Sequence, residues 1–260
     1  MAALDTAATG MLAQQLNVEV IANNIANMNT TGFKRQRAEF EDLLYQNLEQ
    51  VGTSTSETGT IEPTGIQIGT GVKTSAIYRI IEQGGITITE NPLDLAIDGR
   101  GYFLVELPSG DTGYTRAGSF QLSPDGDIVT GEGYIVQPGV TVPDDATSIS
   151  INSSGEVSVT VDGQVGAIQV GQLQLATFPN GAGLEAIGGN LFLESASSGP
   201  ATASTAGSLG FGLIRQGSLE TSNVNVVQEI TSLITAQRAY EMNAQVIESA
   251  DEMMQTATNI

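Results

Sequence analysis

Two carboxylate pairs are the first places to look for chemistry. Asp94 and Asp98 stand close enough in the chain to serve as an acid/base pair for glycoside hydrolysis. Asp125 and Asp127, within Ser-Pro-Asp-Gly-Asp, offer the oxygen ligands that calcium takes. Each pair has a plainer reading. Asp94 and Asp98 bracket a strand that ends in an Asp-Gly turn. Around Asp125 the Pro and Gly already explain a hairpin, and too few further oxygen ligands follow at loop spacing. Gly69-Thr70-Gly71 and Gly99-Arg100-Gly101 each begin a dinucleotide fingerprint, yet neither reaches a third Gly or sits in a β-α-β unit, and no phosphate-loop sequence occurs.

Composition narrows the chemistry further. The 260 residues include no Cys, no His and no Trp, which removes thiol nucleophiles, imidazole bases, the usual zinc ligands and Ser-His-Asp catalysis. No catalytic residue, cofactor or metal is therefore expected. A formal charge of −20, from 29 acidic and 9 basic residues, argues against nucleic acid as a partner, because phosphate binding needs clustered Lys and Arg. The one such cluster, Lys34, Arg35 and Arg37, follows a helix and reads as cations near its C-terminus. The first residues lack a positive n-region, and no apolar run has the length of a signal or membrane span, so export without a cleaved signal and no membrane insertion are expected.

With 40% hydrophobic residues the chain is globular, and what must be positioned is a pair of helices. Leu4, Met11, Val18 and Ile25 recur in heptads near the start, and Val226, Leu233, Tyr240, Ile247 and Met254 near the end. Smaller or polar residues fill in, Ala8, Gln15 and Ala22 in the first helix and Ile230, Gln237, Ala244 and Asp251 in the second. Each helix thus presents a narrow apolar seam suited to coiled-coil pairing. The same repeat also suits a surface helix on a globular core, but the middle of the chain offers few apolar stripes of helical period. The assembly interface is accordingly expected at Leu4, Met11, Val18, Ile25, Val226, Ile230, Leu233, Tyr240, Ile247 and Met254.

The spacing predicts a first helix from about Ala3 to Asn27, stopped by Asn29-Thr30-Thr31-Gly32, a second helical stretch over Phe33 to Leu48, and a last helix opening at Ser222 to Asn225. From Gly65 the period changes to two. Ile149 and Ile151, Val157, Val159 and Val161, and Leu173 and Leu175 alternate with polar residues, as in half-buried antiparallel strands. Asp98-Gly99, Asp125-Gly126 and Asp162-Gly163 supply tight turns, and Ser195 to Gly212 reads as a return linker. The fold expected is α+β and mainly β, with paired terminal helices as a stalk and an inserted antiparallel β-domain. Its parts are residues 1–30 plus 221–260 as a helical core, 31–84 plus 201–220 as a linking region with an extended insertion at about 46–63, and 85–200 as a β-rich outer domain.

Several segments resemble the flagellar axial protein family, the rod and hook proteins of the bacterial flagellum. They are Asn23-Asn-Ile-Ala-Asn-Met-Asn-Thr-Thr-Gly-Phe-Lys34, Asn91-Pro-Leu-Asp-Leu-Ala-Ile-Asp-Gly-Arg-Gly-Tyr-Phe103, Tyr114-Thr-Arg-Ala-Gly-Ser-Phe120, Leu219-Glu-Thr-Ser-Asn-Val-Asn-Val226 and Ala236-Gln-Arg-Ala-Tyr240. Gln137 to Pro143, Val170 to Phe178 and the stretch from Tyr45 to Gly69 are similar to the members that build the distal rod.

The resemblance implies a structural subunit, not an enzyme. It would pass through the export channel with unfolded ends and add at the growing tip, forming a straight helical tube that transmits torque. Such contacts propagate because they do not close. Implied partners are other copies of the chain, proximal rod proteins, the hook protein and the surrounding L and P ring proteins. The implied place is the periplasm-spanning rod of the basal body. A hook or proximal rod protein is the near alternative, and an extracellular β-domain enzyme or carbohydrate-binding protein the distant one.

Overall fold

The structure is a computed structural model describing residues 2–48, 65–162 and 166–258. Most of the insertion expected at about 46–63 lies outside the described residues, as does Gly163 of the third Asp-Gly pair. The chain divides into two compact units, one of Met1–Ile25, Gln36–Tyr78 and Val226–Ile260, the other of Ala26–Arg35 and Arg79–Asn225.

The first unit holds both long helices, α1 (Ala2–Ala26) and α2 (Val226–Thr258), each beginning within a residue or so of its expected start. Both are rich in Ala, with Leu and Gln in α1 and Gln, Glu and Met in α2, residues that lose little freedom in a helix. After α1 the chain leaves helical geometry and reaches Gly32 at φ +68°, a left-handed conformation that costs Gly little.

The helix expected over Phe33 to Leu48 is absent. Strands β1 (Gln36–Asp42) and β2 (Tyr45–Asn47) stand there instead. Along β1, half-buried Gln36, Ala38 and Phe40 alternate with exposed Arg37, Glu39 and Glu41, and a later strand answers the exposed row. With β3 (Gln67–Gly69) and β4 (Val72–Arg79) the unit gains two ribbons, β1 with β4 and β2 with β3. From β4, Tyr78 donates to Glu39 at 3.0 Å, Ser75 donates to Glu41 at 2.6 Å and Lys73 pairs with Glu41 at 3.2 Å. Cross-strand pairs of this kind outweigh a weak helical preference. Tyr45 lies opposite Gly69 and Asn47 opposite Gln67.

The second unit carries the remaining strands. In chain order they are β5 (Ile86–Ile88), β6 (Leu95–Asp98), β7 (Tyr102–Glu106), β8 (Thr112–Thr115), β9 (Phe120–Leu122), β10 (Ile128–Thr130), β11 (Ala146–Ile151) and β12 (Glu156–Val161). Then follow β13 (Ile168–Gln172), β14 (Gln174–Thr177), β15 (Glu185–Gly188), β16 (Leu191–Leu193), β17 (Thr202–Thr205), β18 (Leu213–Gln216) and β19 (Ser218–Glu220). A six-stranded sheet runs β15-β16-β8-β7-β14-β17, a three-stranded sheet β11-β12-β13, and the ribbons pair β9 with β10, β6 with β18 and β5 with β19.

One apolar core joins these layers, drawing Phe103, Val105 and Leu175 from the larger sheet and Ile151, Val157 and Val159 from the smaller. Alternation puts Val157 and Val159 inward, as their spacing predicts. β6 and β7 instead read as continuous apolar runs, since both their faces are covered. The architecture is α+β with a central, mainly β region.

Two local expectations fail. Asp125-Gly126 closes the β9–β10 hairpin, but Asp98-Gly99 joins strands in different sheets, because β6 pairs with β18 while β7 pairs with β8 and β14. Within the expected return linker, Thr202–Thr205 is an edge strand on β14, where β-branched Thr suits a pleated surface.

Candidate functional site

Glu220 ends β19, whose alternation turns Ser218 and Glu220 inward and Leu219 outward. Its carboxylate is fully buried and meets two cations. Lys34 Nζ donates to Oε1 at 2.6 Å, and Arg116 Nε donates to Oε2 at 2.6 Å. The Gly84 N–H adds a third bond to Oε1 at 2.9 Å. Two buried cations on one carboxylate leave positive charge to satisfy, and backbone carbonyls supply the acceptors. Lys34 also donates to Glu82 O at 2.7 Å, and Arg116 to Gly99 O at 2.6 Å, Ile97 O at 3.3 Å and Gly101 O. Those bonds tie the Arg116 side chain to the carbonyls of residues 97, 99 and 101 around the turn between β6 and β7.

Burial alone would raise the Glu220 carboxyl. Arg116, Lys34 and the Gly84 N–H outweigh it and hold the group below the ordinary carboxylate range, so it is ionised.

The basic cluster after α1 is thus split among three roles and does not simply neutralise a helix end. Lys34 belongs to the buried cluster, the Arg35 N–H donates to the Asn223 side chain at 2.7 Å, and Arg37 lies over the Tyr78 ring at 5.6 Å beside Glu39. The carboxylate pairs raised as acid/base or calcium candidates have structural partners. Asp94 accepts from Thr89 at 2.6 Å and Asn91 at 3.0 Å, Asp98 faces Arg215 at 3.4 Å, and Asp127 accepts from Thr141 at 2.6 Å. Among the described residues no group of three or more such ligands is placed to hold a metal, and no helix is long and apolar enough to cross a membrane.

The cluster is where separate motifs of the sequence meet. Lys34 comes from the first, Gly99 and Gly101 from the second, Arg116 from the third and Glu220 from the fourth. Two glycines make this possible. A Cβ on Gly32 would fall 2.7 Å from the Arg116 carbonyl carbon, and one on Gly118 only 1.6 Å from Leu95 O. Neither Lys34, Arg116 nor Glu220 stands out as a site in the sequence; their shared presence in motifs is the available signal.

The residues expected to line the helix seam are placed unevenly. Leu4, Met11, Val18, Ile25, Val226, Leu233 and Ile247 are half-buried, whereas Ile230, Tyr240 and Met254 are exposed. The most buried positions are Ala7, Ala13, Val20, Ile21 and Asn24 on α1 and Glu229, Ala236 and Ala250 on α2, where all three are small or polar. The inward row of α2 therefore falls at Glu229, Ala236, Asn243 and Ala250, one residue before the Ile230, Gln237, Ala244 and Asp251 expected. The helices touch at two positions of this row, Asn24 donating to Glu229 at 3.1 Å and Gly10 abutting the Asn243 amide.

A helix stands at each end of the chain, the centre is β-rich, and a buried ion cluster ties the motifs together. Three family models match: "Flagella basal body rod protein" over residues 4–34, "Flagellar hook protein FlgE/F/G D1 domain" over 96–159 and "Flagellar basal body rod FlgEFG protein C-terminal" over 215–260. The chain is 60% identical to the flagellar basal-body rod protein FlgG of Caulobacter vibrioides, covering 100% of this chain and 99% of that protein. It is 50% identical to that of Agrobacterium fabrum, with 97% of each covered, and 40% identical to that of Bacillus subtilis, with 97% and 96% covered. The chain belongs to the flagellar basal-body rod protein family, as a structural subunit of the rod and not an enzyme.

Proposed function

We propose that the chain builds the distal part of the rod, self-assembling into a straight, rigid helical tube that passes motor torque to the hook. The observation that carries this reading is a run of exposed apolar side chains along α2. At 100° per residue, Val227 and Ile234 lie on the side away from Glu229 and Ala236, Met242 lies on the flank of the row about 100° from Asn243, and Val246 and Met253 stand beside it, about 40–60° from Asn243 and Ala250. All five are exposed, Val227 at 76% and Met253 at 67%. A lone subunit leaves that stripe in water; a neighbouring copy's helices would bury it, and repetition along an open helical array would bury it in every subunit. Paired α1 and α2 would act as a coiled-coil-like inner layer, with the seam around Leu4, Met11, Val18, Ile25, Val226, Leu233 and Ile247 shared within and between subunits.

On this reading the partners are other copies of the chain, proximal rod proteins on one side, the hook protein on the other and the L and P ring proteins around the shaft, and the place is the periplasm-spanning rod. The test is Ile234→Lys and Val227→Glu in the full chain, expressed in cells lacking their own copy. Export with unchanged protease resistance of the β-rich unit, but no rod growth and no motility, is expected. Normal motility in both variants would overturn the role of this face.

A further inference from the structure

Heptad seams of Leu, Ile and Val have a weakness: slid by one heptad, they present much the same surface. Something local has to forbid the slip. Asn24 and Glu229 are both nearly fully buried, at 1% and 4% exposure, on the contact face of α1 and α2. The Asn24 amide cannot be rotated to suit another partner. Its Oδ1 accepts from the Gln36 N–H at 2.9 Å and its Nδ2 donates to the Gln36 carbonyl at 2.8 Å, as a neighbouring strand would. Those two bonds fix which end of the amide is which, and leave its second N–H aimed at Glu229 Oε2 at 3.1 Å. Glu229 itself lies in the first turn of α2, where a negative charge is favoured.

A second contact reports the same register. The residues from Gly10 to Asn24 along α1 span the same whole number of heptads as those from Glu229 to Asn243 along α2, and the helices run antiparallel. The Asn243 amide lies 2.9 Å from where a Gly10 Cβ would stand. Sliding by one heptad would bring Asn24 opposite Ala236 and Gly10 opposite Ala250, and the buried Glu229 carboxylate would lose its amide.

We propose that Asn24 and Glu229 are register-determining residues of the terminal helix pair: Asn24, locked by Gln36, admits only the alignment that places Glu229 on its free N–H. This deepens the assembly reading above and rests on it, since a subunit paired out of register would offer neighbours a displaced apolar stripe. A buried polar pair of this kind specifies alignment at some expense of stability.

The chain has no cysteine, so engineered pairs report alignment cleanly. Gly10→Cys with Asn243→Cys reads the observed register, and Gly10→Cys with Ala250→Cys reads the slipped one, each introduced into the full chain alone and together with Asn24→Leu and Glu229→Leu. Mild oxidation of rods in cells should link only the first pair in the parent. In the double-Leu background the slipped pair should rise about tenfold, the change that about 1.4 kcal/mol of lost preference gives. Glu229→Gln, which keeps an acceptor for Asn24, should retain the parent pattern. Exclusive linkage of the observed pair in the double-Leu background would overturn the proposal. No linkage of either pair in the parent would instead contradict the helix pairing beneath it, separating the two failures.

Discussion

The Arg116 guanidinium and the Glu220 carboxylate, 104 residues apart in the chain, meet at 2.6 Å in a site where both side chains are buried. Neither group is tolerable there alone. With Glu220→Gln, Arg116 and Lys34 remain buried with no anion between them, and such a break costs about 3–5 kcal/mol. Urea unfolding of the full chain, followed by tyrosine fluorescence, should show a midpoint lowered accordingly. An unchanged midpoint would mean that the two cations find other compensation. Arg116→Lys should recover only part of the loss, since an ammonium cannot reach several carbonyls with the planar fork of Arg.

The same cluster gives stability a pH dependence. Glu220 is held below its ordinary value of 4.5 in the folded state. A group whose folded value is depressed contributes stability that is fully present above its unfolded value and is lost as pH falls through the folded value. The parent should therefore weaken progressively as acid is added below about pH 4.5. Glu220→Gln should lack that component, so that the two unfolding curves converge in acid. Curves that stay parallel across the acid range would remove Glu220 as the cause.

Gly118 is required by space alone. Its Cβ would stand 1.6 Å from the carbonyl oxygen of Leu95, and the Leu95 N–H donates to Gly118 O at 2.9 Å, so the two backbones cannot separate without losing a backbone hydrogen bond. Gly118→Ala should destabilise by about 3 kcal/mol or more, as backbone changes at closed positions do. Soluble, protease-resistant Gly118→Ala protein with parent stability would show that the approach is looser than described.

The core makes a similar distinction between side chains of one chemical kind. Phe103 is fully buried and meets Phe120 edge to face at 5.0 Å, whereas Leu209 is fully exposed. Phe103→Ala should cost about 3–5 kcal/mol. Leu209→Ala should stay within about 0.5 kcal/mol. Equal effects in thermal unfolding would contradict the assignment of the core.

Much of this fold is legible in the order of its residues, and for physical reasons. Long heptad repeats mark the two helices, and the alternation at Val157 and Val159 marks a strand because a period of two leaves few other readings. Phe33 to Leu48 is different. Phe33, Phe40, Leu43, Leu44 and Leu48 fit a helical period, while the partners that draw Glu39 and Glu41 into a ribbon lie on β4, some distance along the chain. The inward row of α2 stands one residue from the expected filling because heptads are marked by large side chains, whereas burial on α2 falls on Glu229, Ala236 and Ala250 and the contacts with α1 on Asn24 and Gly10. The buried cluster is hidden for a further reason. Lys34 and Glu220 stand 186 residues apart, and each alone has the look of an ordinary surface charge.

Immuno-electron microscopy of isolated basal bodies, with antibody raised to residues 85–200, tests the central claim most directly. Label along the straight shaft between the inner ring and the hook is the result expected of a distal rod subunit. Label on the hook alone would move the chain to another axial structure, and label on no axial part would contradict the account.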